Sequence, residues 1–139
     1  MENVKVKYMG GKPIYVDEPG EWVDLRSRDT IELKAGEYRR IPLGVAIELP
    51  KGYEAHVLPR SSTYENWGII MVNSMGIIDN SYRGEIQFAA KADRDTIIYA
   101  GDRICQMRIQ RCQDVKLVEV KELGETSRGD GGFGSTGVK

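Results

Sequence analysis

Ile41 Pro42 Leu43 Gly44 Val45 Ala46 Ile47 Glu48 Leu49 places its large apolar side chains on every second position. Successive side chains of a β-strand point to opposite faces, so this period predicts one strand with a core face and a second face carrying Gly, Ala and Glu. Pro50 Lys51 Gly52 is a turn signal. It leads into another alternating stretch, Tyr53 Glu54 Ala55 His56 Val57 Leu58, which ends at Pro59 Arg60 Ser61 Ser62. Toward the N-terminus, three stretches read as earlier strands: Thr30 to Lys34 before the turn Ala35 Gly36 Glu37, Gly20 to Ser27, and Val4 to Tyr8 before Gly10 Gly11 and Pro13. Toward the C-terminus, Ser62 to Asn66 leaves room for one helical turn capped by a serine, and Trp67 to Val72 is apolar enough to be buried. Ile86 and Phe88 share a strand face, and Lys91 Ala92 Asp93 Arg94 Asp95 reads as a hairpin turn. Thr96 to Tyr99, Ile104 to Gln110 and Val115 to Val120 complete the strands. Short strands separated by turn signals, with almost no helical period, predict an all-β sandwich or barrel. Trp22 and Trp67 are expected in its core or at an interface.

The chain of 139 residues has the length of one domain with a real core. Lys plus Arg number 20 against 21 Asp plus Glu. No net field is available to hold nucleic acid or an anionic membrane, so an anionic ligand has to be bound by a local cluster. No apolar run approaches membrane-spanning length, and Met1 Glu2 Asn3 Val4 Lys5 Val6 Lys7 lacks the hydrophobic stretch of a signal peptide. A cytoplasmic protein is expected. Cys105 and Cys112 are the only cysteines and His56 the only histidine. This argues against a disulfide framework or a zinc site and predicts two reduced thiols. His56 itself falls in an alternating stretch and reads as a strand residue.

The decapeptide Gly76 Ile77 Ile78 Asp79 Asn80 Ser81 Tyr82 Arg83 Gly84 Glu85 delivers a carboxylate to a turn with an aromatic ring close behind. Taken alone, Asp79 and Asn80 are ordinary turn formers, because both tolerate the left-handed region and bond their own backbone. Residues 124–139 hold six glycines and only two large apolar side chains, Phe133 and Val138. Such a segment cannot build a core, and a disordered tail accounts for its composition. Consecutive glycines can also converge their N–H groups on an anion, with Arg128, Ser135 and Thr136 adding charge and hydroxyl donors. Phe133 then reads as an aromatic lid on a flexible arm. Gly129 to Gly134 matches GxGxxG literally, but no strand precedes it closely and too few residues follow to form the helix of a dinucleotide site. The chain divides into a domain, residues 1–123, and an arm, residues 124–139.

Asp24 Leu25, Pro59 Arg60 Ser61 Ser62, Gly101 Asp102 Arg103 Ile104 Cys105 Gln106 Met107, and Arg128 through Gly137 are each weak signals alone. Arranged in this order around the decapeptide, they resemble the five motifs of the homotrimeric deoxyuridine triphosphatases (dUTPases), over nearly the whole chain. The resemblance implies a distorted jelly-roll-like β-barrel. It also implies three subunits that jointly build each active site, the glycine-rich arm closing over the site of a neighbour with its ordering cost met on closure. The implied reaction is hydrolysis of dUTP to dUMP and diphosphate by water attack at the α-phosphorus, with Mg2+ on the triphosphate. By the same resemblance Asp79 orients and deprotonates the water, Tyr82 packs under the deoxyribose where a 2′-hydroxyl has no room, and Asn73 reads the uracil edge. Arg60, Ser61 and Gln106 fall where the family contacts the triphosphate. Arg128, Ser135 and Thr136 would hold its terminal phosphate, Phe133 would stack on uracil, and Asp24 would meet Mg2+ mostly through water. Such groups act by positioning and charge neutralisation.

The first motif departs from the family, which has Ala, Gly and an aromatic or small residue where this chain has Glu21 Trp22 Val23. Deoxycytidine triphosphate deaminase is a rival resemblance with the same fold and an Ile-Asp turn. It carries a catalytic glutamate five residues after the following glycine, where this chain has Ala89. A non-catalytic regulator that keeps the pocket as a switch is a third reading; the intact Asp79 speaks for catalysis. Arg83 is left without a role.

Overall fold

A computed structural model describes residues 1–10, 14 and 21–139. Gly11 and Pro13, read as turn signals, and Gly20, read as the start of a strand stretch, lie outside the described residues. Within them the order is β1 Lys5–Tyr8, β2 Val23–Arg26, β3 Ile31–Leu33, β4 Tyr38–Pro42, β5 Val45–Glu48, β6 Tyr53–Pro59, α1 Thr63–Trp67, β7 Ile69–Met71, β8 Gly76–Ile78, β9 Gln87–Ala92, β10 Thr96–Ile98 and β11 Arg103–Arg111. Every pairing among the described strands is antiparallel. One sheet runs β2-β11-β6-β8, a second β4-β9-β7, and β1-β5 and β3-β10 form two-stranded ribbons. The partners β2 with β11, β3 with β10 and β4 with β9 are nested, as when a long antiparallel ribbon is rolled up on itself. This is the all-β, distorted jelly-roll-like barrel. No described helix is long and apolar enough to cross a membrane.

The alternating stretches decide where the core sits. Leu25, Leu33, Ile41, Phe88, Ile98 and Ile104 are all buried to 1% exposure or less, and each such side chain contributes about 1.5–3 kcal/mol of hydrophobic stabilisation. Ile41, Leu43, Val45, Ile47 and Leu49 are all buried as their spacing predicts. They do not form one strand, however. Gly44 takes a left-handed φ of 72° and separates β4 from β5, while Leu43 donates its N–H to Ile86 O and Ile86 donates back to Val45 O. Ala46, expected on the open face, is buried as well.

Four further expectations are corrected. Trp67 to Val72 is not buried throughout: Ile69 and Met71 face the core, whereas Ile70 and Val72 are exposed, because side chains alternate along β7. Lys91 and Ala92 belong to β9, because Ala92 donates to Glu37 O and accepts from Gly36 N–H, which prolongs the ladder up to the turn. Ser62 precedes α1 but makes no capping bond. The buried Thr63 does the bonding instead, accepting from Arg60 N–H and donating to Ile104 O, both at 2.8 Å. Val115 to Val120 is not a strand, and Leu117 is 94% exposed. Its alternation supplies an apolar face, but a strand also needs a neighbouring backbone, and none among the described residues pairs with it.

Candidate active site

The decapeptide builds a cleft. Pairing of β8 with β6 ends at Ile78, so Asp79 is the first residue free of the ladder and opens a turn closed by Tyr82 N–H on Asp79 O at 3.0 Å. Neither Asp79 nor Asn80 uses the left-handed region. Asn80 does not bond its own turn either; its Nδ2 reaches across to Pro50 O at 2.7 Å and Leu49 O at 3.2 Å. The Tyr82 hydroxyl donates to Glu85 O at 2.9 Å. Arg83 holds the turn from outside, donating to Asn80 O and lying 3.6 Å from Glu48. The result is a cleft of about 250 Å³ in which Asn73, Asp79 and Tyr82 meet, with Arg40 and Ala89 on its wall.

Asp24 and Gln106 face each other across β2 and β11. Arg60, just past β6, lies 3.3 Å from one Asp24 oxygen, and Arg103 donates to the other at 3.0 Å. Arg60 also donates to Arg103 O at 3.1 Å, and Gln106 donates to Pro59 O at 3.1 Å. Ser61 is exposed beside them. The two guanidinium groups outnumber the one carboxylate, which suits an anion. Behind this cluster the buried Cys105 thiol is pushed above its ordinary value, first by burial and then by the Asp24 charge. That leaves it protonated and inert.

Arg128, Phe133, Ser135 and Thr136 line a separate concavity made by the arm alone. Its bonds are local: Arg128 Nε donates to Gly131 O, Gly131 N–H to Arg128 O and Ser135 N–H to Gly132 O. Phe133, at a φ of 51°, is fully exposed. The candidate residues therefore fall into three groups. None of Asp24, Arg60, Ser61, Gln106 or the arm residues lines the cleft that holds Asp79. β2 and β8 are the two edges of one four-stranded sheet, so three strand spacings, about 14 Å along the sheet, lie between the strand of Asp24 and the strand that leads into Asp79.

A family model described as dUTPase matches residues 23–137. The chain belongs to the dUTPase family. It is 51% identical, over an alignment of 142 residues covering 98% of this chain and 99% of the relative, to the SPbeta prophage-derived deoxyuridine 5′-triphosphate nucleotidohydrolase of Bacillus subtilis strain 168. It is 40% identical over 131 residues, 91% of this chain and 88% of the relative, to the deoxyuridine 5′-triphosphate nucleotidohydrolase of Neorickettsia sennetsu. Among solved structures, the Staphylococcus bacteriophage 80alpha dUTPase with dUPNHPP superposes with a TM-score of 0.86 at 22% identity, covering 99% of this chain and 100% of that one. A dUTPase variant from S. aureus phage phi11, described for its coordination of a structural Mg(II) ion, gives a TM-score of 0.79 at 18% identity over 87% of this chain and 98% of that one. These likenesses show the fold.

For magnesium, the described residues contain no group of three or more His, Cys, Asp or Glu able to hold an ion. Asp24 offers one carboxylate, already shared by two arginines. A single carboxylate fits an Mg2+ that arrives on substrate phosphates and keeps its waters, and does not make an all-protein cage. Two residues inside the quoted motifs carried no assignment and are tied into these clusters. Arg103 binds Asp24, and Glu85 lines the cleft. Their presence in motif phrases was the available signal; what they bond depends on distant chain segments.

Proposed function

We propose that three copies of this chain, in the cytoplasm, hydrolyse dUTP to dUMP and diphosphate, each site drawing residues from more than one copy. The division of the candidate residues carries this reading. A cleft with Asn73, Asp79 and Tyr82, a cationic cluster around Arg60, and an arm with an exposed Phe133 are each solvent-open, and one chain does not join them. Family membership over residues 23–137 supports it.

In the joined site Asn73 reads the uracil edge and Tyr82 lies under the deoxyribose. Asp79 holds a water against the α-phosphorus and takes its proton as the new P–O bond forms. The bond from the α-phosphorus to the bridging oxygen breaks, and diphosphate leaves. Arg60, Ser61 and Gln106 hold the phosphates in line, and Arg128, Ser135 and Thr136 of the arm hold the terminal phosphate while Phe133 covers uracil and excludes water. When bound, Mg2+ neutralises charge on the triphosphate, and Asp24 is the residue that would meet it, through water. Deamination is disfavoured because the position of the deaminase glutamate is Ala89, on the wall of the same cleft.

The test is to incubate dUTP, dTTP, dCTP and UTP separately with the full chain and Mg2+ and to resolve the products. Formation of dUMP and pyrophosphate from dUTP alone is expected. Orthophosphate with dUDP, or equal use of dTTP, would refute the reading.

A further inference from the structure

The turn from Asp79 to Gly84 is anchored at both ends, and each anchor holds a different residue of the cleft. Asn80 ties the Asp79 end to Leu49 and Pro50. At the other end Glu85 accepts from Arg28 Nη1 through Oε1 and from Gly44 N–H through Oε2, both at 2.8 Å. Its side chain is only 13% exposed. The backbone carbonyl of the same residue accepts the Tyr82 hydroxyl at 2.9 Å. Glu85 therefore grips the barrel wall with its side chain and the tip of the Tyr82 ring with its backbone. The ring has no slack beneath it, since a Cβ on Gly84 would stand 2.5 Å from the Tyr82 hydroxyl oxygen. Gly44 takes its left-handed φ where its N–H meets this carboxylate.

We infer that Glu85, tethered by Arg28 and Gly44, is a positioning residue that sets the height of the Tyr82 ring and so the preference of the site for deoxyribonucleotides over ribonucleotides. This rests on the reading of Tyr82 as the residue under the sugar. A steric gauge works only while it is held within about 0.5 Å of its position. Charge-assisted bonds from two separate segments, one of them a backbone N–H, supply that stiffness. Because the Asn80 anchor holds Asp79 independently, releasing Glu85 loosens selection while leaving the hydrolytic group in place.

The experiment compares kcat and KM for dUTP and for UTP in the full chain and its variants. Glu85→Ala is expected to lower the dUTP over UTP preference in kcat/KM by roughly 10-fold or more, mainly through a lower KM for UTP. Arg28→Gln, which cuts the same tether from its other side, should reproduce the loss. Glu85→Gln, which keeps an acceptor for Gly44 N–H, should recover much of it. Tyr82→Phe should lower the preference too, and the double variant with Glu85→Ala should add little, because both release one ring. A preference unchanged in Glu85→Ala, whatever its thermal midpoint, overturns the inference and leaves Glu85 purely structural; if that variant does not fold, Arg28→Gln decides in its place. A preference unchanged in Tyr82→Ala removes the sugar-gauge reading and this inference with it, whereas loss in Tyr82→Ala but not in Glu85→Ala removes the inference alone.

Discussion

Asp79 stands one residue beyond the β8 ladder, its backbone fixed by the sheet on one side and by the Asn80 bonds on the other, while its side chain is exposed. Replacing it with Asn preserves shape and removes the proton acceptor. Turnover of dUTP is expected to fall by roughly 10² to 10⁴ with binding of a non-hydrolysable analogue largely intact. Steady-state kinetics beside a calorimetric titration checks this, and near-normal turnover would overturn the role as base. Gly84 is needed for a different reason. Its φ is not left-handed, so an alanine there costs nothing in backbone conformation, but its Cβ would meet the Tyr82 ring at 2.5–2.7 Å. The Gly84→Ala ring must shift, and kcat/KM for dUTP should drop by about 10-fold or more. An unchanged kcat/KM would mean that the ring does not touch substrate.

Two elements carry contacts that propensity does not anticipate. α1 has only five residues, too short to persist by itself. Thr63 fastens it, fully buried, with its hydroxyl between Arg60 N–H and Ile104 O. Thr63→Val keeps the volume and strands both partners, so urea unfolding should show a loss of about 1–3 kcal/mol; unchanged stability would show that the two groups find other partners. β1 is held mainly through its ladder with β5, and all four of its residues are exposed. The Lys5 ammonium, at 2.9 Å, holds the Glu48 carboxyl below its ordinary value, and Arg83 adds to the effect. A carboxylate with a depressed folded pKa stabilises above its unfolded value, here 4.5. That contribution is lost as pH falls through the folded value. Between about pH 5 and pH 3 the thermal midpoint should therefore fall less steeply in Glu48→Gln than in the parent chain, and equal slopes would assign the acid sensitivity to other groups.

For the whole molecule, the last strand ends at Arg111, and beyond it Leu117, Val118 and Leu123 remain largely exposed. On the proposed reading these side chains, between the last strand and the arm, would be covered by a neighbouring copy. A chain ending before Arg128 should fold, scatter light as three chains and turn over dUTP at least ~100-fold more slowly, because closure and the terminal-phosphate contacts are lost. Full activity in that truncate would reduce the arm to a tail, and light scattering at the mass of a single chain would remove the shared site.

The sequence by itself determined the fold class and the core face of stretches such as Ile41 to Leu49, because a period of two assigns faces wherever the stretch does pair. It also held the ordered motif phrases from Asp24 to Gly137 by which the family is legible. The tertiary structure alone decided what rests on distant partners. Gly44 bends where the segment before β9 meets it, Glu85 accepting its N–H and Ile86 bonding Leu43 and Val45 on either side. Thr63 replaces Ser62 because Ile104 O lies within its reach. Asp24 has Arg103 as well as Arg60, because β2, β6 and β11 lie side by side. The opposite edges occupied by β2 and β8 keep Asp24 and Asp79 apart within one chain. Spacing along a chain records local geometry, and these contacts form only when segments dozens of residues apart pack together.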